Sequence, residues 1–157
     1  MGSMSAVSPG IAKPDPPPQL NWAPLASERP LKVLLVEDNQ EHADWATLLL
    51  SSDSNGTIRV EWVRSLVEAM TRLSDASIDV IVLDLGLPEL TGYRSHAAMQ
   101  VVAPGVPIVI LTGDDSPVSR DLALSRNASD YLVKSEVTSE RLRGAVWRAF
   151  DSRGKRF

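Results

Sequence analysis

Five times along this chain a short apolar segment gives way to a stretch whose apolar residues recur at helical spacing, and few folds accept that rhythm. Leu31-Lys-Val-Leu-Leu-Val36, Ile78-Asp-Val-Ile-Val-Leu83 and Val106-Pro-Ile-Val-Ile-Leu111 are rich in β-branched residues and almost continuous in apolarity. Such runs suit strands covered on both faces, as in a parallel sheet. Thr57-Ile-Arg-Val-Glu-Trp-Val63 differs, because Ile58, Val60 and Trp62 alternate with Arg59 and Glu61. That pattern describes a half-exposed strand at a sheet edge. Asp130-Tyr-Leu-Val133 supplies a short fifth strand.

The intervening stretches carry helix signals. Ala43, Ala46, Leu49 and Leu50 form a stripe behind Asn39, an N-cap residue. Ser65-Leu-Val-Glu68 has capping-box spacing ahead of Ala69, Met70 and Leu73. Asp115-Ser-Pro117 offers a cap and a first-turn proline before Val118, Leu122 and Ala123. Leu142, Ala145, Val146 and Ala149 stripe the last helix. Around Thr91–Val101 the signal is weakest, with Tyr93, Ala97 and Val101 expected on one buried face. Five βα units predict a doubly wound α/β sandwich: a five-stranded parallel sheet of flavodoxin-like order 2-1-3-4-5.

Composition sets the boundaries. Residues 1–30 hold seven of the eleven prolines and no net charge, so they are expected to be a disordered or polyproline-like segment. Met1-Gly2-Ser3 before a second methionine reads as a remnant of cloning. Trp22 and Leu25 read either as a short docking motif or as part of a floppy linker, and the composition favours the linker. The domain is expected over residues 31–150, with a basic tail at 151–157. No apolar run reaches the roughly 18–20 residues of a membrane helix. With no cysteine there is no disulfide framework and no thiol nucleophile. No basic patch dominates, so a nucleic-acid partner is not expected, and a cytoplasmic location is.

Polar residues close the apolar runs. Strand one runs into Glu37-Asp38, strand three into Asp84, strand four into Thr112 and strand five into Lys134. In parallel α/β sheets the carboxyl ends share one edge, where ligands bind at the switch in strand order. Three carboxylates brought together there repel unless a cation neutralises them, and a hard divalent ion such as Mg²⁺ fits oxygen donors. With a lysine and a hydroxyl opposite, the set is arranged to hold a phosphoryl group, with a carboxylate as acceptor. Taken singly, Asp84 reads as a helix cap, Thr112 as a turn residue and Lys134 as a solvated strand-end charge. Coincidence in register across all of them is what argues against those readings.

Four ordered motifs, Val36-Glu-Asp-Asn39, Val80-Ile-Val-Leu-Asp-Leu-Gly-Leu-Pro88, Ile110-Leu-Thr-Gly113 and Tyr131-Leu-Val-Lys134, resemble the receiver domain of bacterial two-component response regulators over roughly residues 31–150. The resemblance implies that Asp84 is the phosphoacceptor, fed by a histidine kinase or phosphotransfer protein. It implies Mg²⁺ held by Glu37, Asp38, Asp84 and the backbone carbonyl of Gly86. Thr112 and Lys134 would contact the phosphoryl oxygens, and Tyr131 would be the aromatic switch that turns inward when Thr112 follows the phosphate. The face of strand four, helix four and strand five would then control a downstream domain or partner. Such a domain promotes its own phosphoryl transfer and is not a turnover enzyme. The alternative is a degenerate receiver that docks proteins without phosphorylation.

Departures from the family pattern bear on detail. Ser135 stands where receivers usually have proline, so a trans Lys134–Ser135 bond is expected. Gly86 has no side chain to orient water, whereas Asp114 does; both are candidate tuners of dephosphorylation. His96, unaccompanied by other relay residues, is expected on the surface. A haloacid-dehalogenase-type phosphatase needs an acid where Gly86 stands, and the Glu37-Asp38 pair would repel a flavin phosphate. With no DNA-binding or catalytic domain in the chain, the sequence reads as a stand-alone receiver or an excised piece. Its last strand and helix resemble receivers that precede sensory, kinase or cyclic-di-nucleotide domains.

Overall fold

The computed structural model describes residues 29–52, 56–75 and 77–153. Five parallel strands, β1 (Leu31–Val36), β2 (Ile58–Val63), β3 (Val80–Leu83), β4 (Ile108–Thr112) and β5 (Asp130–Val133), form one sheet in the order β2-β1-β3-β4-β5. Helices α1 (Gln40–Leu50), α2 (Leu66–Leu73), α3 (Tyr93–Val102), α4 (Pro117–Ser125) and α5 (Ser139–Ser152) alternate with them. The half-exposed strand takes the edge, as its alternation predicts.

Because successive side chains on a strand point to opposite faces, the sheet has two cores. Leu31, Val33, Leu35, Val80, Val82, Val109, Leu111 and Leu132 pack under α1 and α5, against Ala43, Ala46, Leu50, Leu142 and Val146. Leu34, Val36, Ile81, Leu83, Ile108, Ile110, Tyr131 and Val133 face α2, α3 and α4. Two buried faces are why β1, β3 and β4 can be apolar almost throughout.

The caps follow the sequence. Asn39 accepts from the His42 N–H and Ser65 from the Glu68 N–H, but Glu68 reaches back to the Arg64 N–H rather than to Ser65. Pro117 opens α4 behind Ser116. β3 starts at Val80, two residues later than the apolar run suggested; just before it, buried Asp79 accepts from the Lys32 N–H and pairs with Arg29 at 2.9 and 3.1 Å. No described peptide bond is cis, so Lys134–Ser135 is trans.

Two readings of α3 are corrected. Tyr93 and Val101 are exposed, and the buried residues of the helix are Ser95, His96 and Met99. His96 is therefore no surface residue: it is fully buried. Apolarity misled the assignment because two polar side chains face inward here; Ser95 is satisfied locally by donating to the Gly92 carbonyl at 2.9 Å. Met70 and Val118 are likewise exposed on their helices; α2 buries Leu66 and Ala69, and α4 buries Ala123. The proline-rich segment through residue 28 and the tail from residue 154 lie outside the described residues; α5 itself continues through Ser152.

Candidate functional site

The carboxyl ends of β1, β3, β4 and β5 meet over a crevice of about 510 Å³ that includes Glu37, Asp38, Asp84, Thr112 and Lys134. Parallel pairing in register brings them together, since Val36 lies beside Leu83 and Thr112 beside Val133. One carboxylate oxygen from each of Glu37, Asp38 and Asp84 falls within 4.8 Å of the others. All five residues that the sequence sent to one edge are there.

Lys134 holds the charge balance. Its Nζ donates to Glu37 Oε2 at 2.7 Å and to Asp84 Oδ2 at 3.1 Å. Asp84 Oδ1 accepts from the Gly86 N–H at 3.0 Å, and Glu37 Oε1 from the Asn39 N–H at 3.1 Å. The two buried acids titrate in opposite directions. Burial pushes Glu37 up to about 7, helped by the neighbouring Asp84 charge and opposed by Lys134. Burial also raises Asp84, but the Gly86 N–H and the Lys134 charge outweigh it, so that carboxyl lies below its ordinary value. Asp84 is the ionised, oriented carboxylate of the pair.

A hard cation suits this donor set. Three carboxylates against one ammonium leave excess negative charge, and all the side-chain donors are oxygens. The buried and backbone-oriented acids are fixed in advance, while exposed Asp38 opens toward solvent.

Beyond the acids, Thr112 Oγ1 accepts from the Asp114 N–H at 3.4 Å, and the Lys134 N–H donates to the Thr112 carbonyl at 2.8 Å. The Tyr131 ring is buried, its hydroxyl donating to the Asp114 carbonyl at 2.7 Å, with the Arg120 guanidinium 5.6 Å from its centre. Both Asp114 carboxylate oxygens are engaged at the start of α4, by the Ser116 N–H at 2.9 Å and the Ser119 hydroxyl at 2.6 Å.

Sequence reasoning missed two neighbours. His42 Nδ1 lies 3.1 Å from Lys134 Nζ, and the Trp62 indole N–H donates to the Glu37 carbonyl at 2.7 Å. A signal existed for each: His42 stands in the first turn behind the Asn39 cap, and Trp62 near the end of the strand beside β1.

The sequence matches the response regulator receiver domain family over residues 33–146. It is 33% identical over 105 residues to the autoinducer 2 sensor kinase/phosphatase LuxQ of Vibrio harveyi, covering 66% of this chain and 12% of that protein. Against the transcriptional regulatory protein CreB of Escherichia coli it is 30% identical over 102 residues, 65% of this chain and 43% of that one. The chain thus spans less than half the length of these relatives. Among solved structures, a receiver domain protein from Clostridium thermocellum superposes with TM-score 0.69 at 26% identity, over 80% of this chain and 98% of that one. The beryllofluoride-activated NtrC4 receiver domain dimer shares the fold at TM-score 0.68 and 22% identity, over 78% and 98%. With its order of strands, its edge of acids and its match across most of the described residues, the chain belongs to the response regulator receiver domain family.

Proposed function

We propose that this domain is a phosphorylation-operated switch whose phosphoacceptor is Asp84. One observation carries the reading: Asp84 is the carboxylate of the buried pair held ionised, gripped by the Gly86 N–H on one oxygen and by Lys134 on the other. An ionised, immobilised carboxylate at the rim of a crevice is a nucleophile awaiting an electrophilic phosphorus.

The donor for such a domain is a phosphohistidine on a histidine kinase or phosphotransfer protein. An Asp84 oxygen attacks phosphorus in line, the P–N bond breaks, and the imidazole leaves with the bonding electron pair. When bound by Glu37, Asp38, Asp84 and the Gly86 carbonyl, Mg²⁺ would supply positive charge to the phosphoryl oxygens. Lys134 then exchanges its grip on Asp84 for the new oxygens, and the Thr112 hydroxyl donates to them. The resulting charge of about −2 pulls on Thr112 and the 113–117 loop. Since Tyr131 holds the Asp114 carbonyl of that loop, the pull reaches its buried ring and, through it, the β4–α4–β5 face. An output domain or protein reads that face. Receiver domains are signalling modules rather than turnover enzymes, and any loss of the phosphoryl group here would be tuned at Gly86 and Asp114. A phosphorylation-independent docking module would not need Asp84 ionised beside Lys134 and two further acids.

Amide NMR tests the site as a whole. Mg²⁺ followed by beryllofluoride, which imitates the phosphoryl group, is expected to shift residues 37–39, 84–87 and 112–114 first, and then Tyr131. Largest shifts elsewhere would overturn the reading, and a folded, Mg²⁺-loaded protein that ignores beryllofluoride would favour the docking module.

A further inference from the structure

Every polar group of Glu37 is engaged. Its carboxylate oxygens hold the Asn39 N–H and Lys134, and its own N–H donates to the Val63 carbonyl at 3.1 Å. The fourth group, the backbone carbonyl, accepts from the Trp62 indole at 2.7 Å. Glu37 lies just past β1, and here a side chain rather than a strand partner takes the carbonyl. Trp62 stands beside Leu35 in the β1–β2 ladder, and its ring packs partly buried against the core beneath α1 and α5. The Arg64 guanidinium lies over the same ring, 4.5 Å from its centre. Packing and stacking ask only for an aromatic ring, so neither accounts for the N–H directed at Glu37.

We propose that Trp62 is a positioning residue for the acid pair: its indole N–H fixes the peptide between Glu37 and Asp38, and through that peptide the affinity of the crevice for Mg²⁺. The carbonyl of Glu37 and the N–H of Asp38 belong to one planar unit, so a bond that holds the first also sets the direction in which the chain enters Asp38. Asp38 is the exposed member of the acid cluster, and it depends most on its backbone for its aim. Glu37 is only 2% exposed, so without the indole its carbonyl would sit buried and unpaired, and the β1–α1 turn would shift to satisfy it. Trp62 thus acts on the metal ligands without touching the metal, as outer partners of ligands do. Such a role presupposes the Mg²⁺ site proposed above.

Mg²⁺ titrations followed by amide NMR at residues 37–39 and 84–87 decide it, on the full chain as wild type, Trp62→Phe and Trp45→Phe. Trp62→Phe keeps a ring and loses the donor, so its Mg²⁺ affinity should fall roughly tenfold, the scale on which outer partners of metal ligands act. Trp45 packs against the same core and controls for loosened packing; Trp45→Phe should bind Mg²⁺ as wild type does. Coupling is reciprocal, so saturating Mg²⁺ should slow solvent exchange of the wild-type Trp62 indole N–H by a similar factor. That second readout needs no variant to fold. A folded Trp62→Phe with unchanged Mg²⁺ affinity, an equal loss in Trp45→Phe, or an indole exchange rate indifferent to Mg²⁺ would overturn the role and leave the metal site standing. Wild type that binds no Mg²⁺ would overturn the site itself, and the role with it.

Discussion

Replacing His96 by leucine should stabilise this protein, and more so in acid. The imidazole is fully buried in the α3 layer, and neither Nδ1 nor Nε2 has a hydrogen-bond partner among the described residues. Burying an unsatisfied polar group costs about 1–3 kcal/mol, and leucine fills a similar volume without that cost. At neutral pH the variant is therefore expected to gain about 1–3 kcal/mol, a rise of roughly 4 °C in Tm per kcal/mol for a domain of this size. Burial and the nearby Arg126 charge also hold the imidazole below its ordinary 6.5. As pH falls through 6.5 the unfolded chain takes up a proton that the folded one refuses, so wild-type stability declines on acidification. Leucine has no such loss. The gap should widen by up to about 1.4 kcal/mol per pH unit while the buried ring stays neutral. Urea titrations followed by circular dichroism at pH 7.5, 6.5 and 5.5 measure both terms. A variant no more stable than wild type, or a gap constant with pH, would refute the reasoning and imply a partner for the imidazole.

Other perturbations have defined outcomes. Asp79→Ala strands the Lys32 N–H and releases Arg29, so urea denaturation should show a loss of about 1–3 kcal/mol. That carboxyl is held below its ordinary value, so its contribution is present above the unfolded pKa near 3.9 and should vanish in acid titrations as pH falls through the folded value. Tyr131→Phe removes the hydroxyl bond to the Asp114 carbonyl at a cost of about 1 kcal/mol in Tm-based stability, and should leave Asp84 phosphorylation intact. Glu37, raised to about 7, keeps a proton in the folded state that the unfolded chain releases, so stability without metal should fall as pH rises from about 4.5 to about 7. Mg²⁺ competes with that proton, so calorimetry should find tighter Mg²⁺ binding at pH 8 than at pH 6, with proton release at the lower pH.

How much of this was legible in the sequence follows from which physical signal each feature left. The sheet was legible because strands buried on both faces have to be apolar throughout, and because β2, with Arg59 and Glu61 interleaved, can only sit at an edge. The site was legible because Glu37, Asp38, Asp84, Thr112 and Lys134 each end an apolar run, and parallel order turns chain position into spatial proximity. The buried face of α3 was not, because hydrophobic periodicity finds apolar residues, whereas here Val101 faces solvent and Ser95 and His96 face the core. Nor could spacing reveal Arg29 on Asp79, a pair fifty residues apart whose partners carry no shared motif.

Whether Asp84 accepts a phosphoryl group is decided by intact-protein mass spectrometry after incubation with acetyl phosphate and Mg²⁺. Wild type should gain the mass of one phosphoryl group, Asp84→Asn should gain none, and Lys134→Ala should gain it slowly or not at all. A folded, Mg²⁺-loaded wild type that remains unlabelled, or an Asp84→Asn variant labelled to the same extent, would contradict the account.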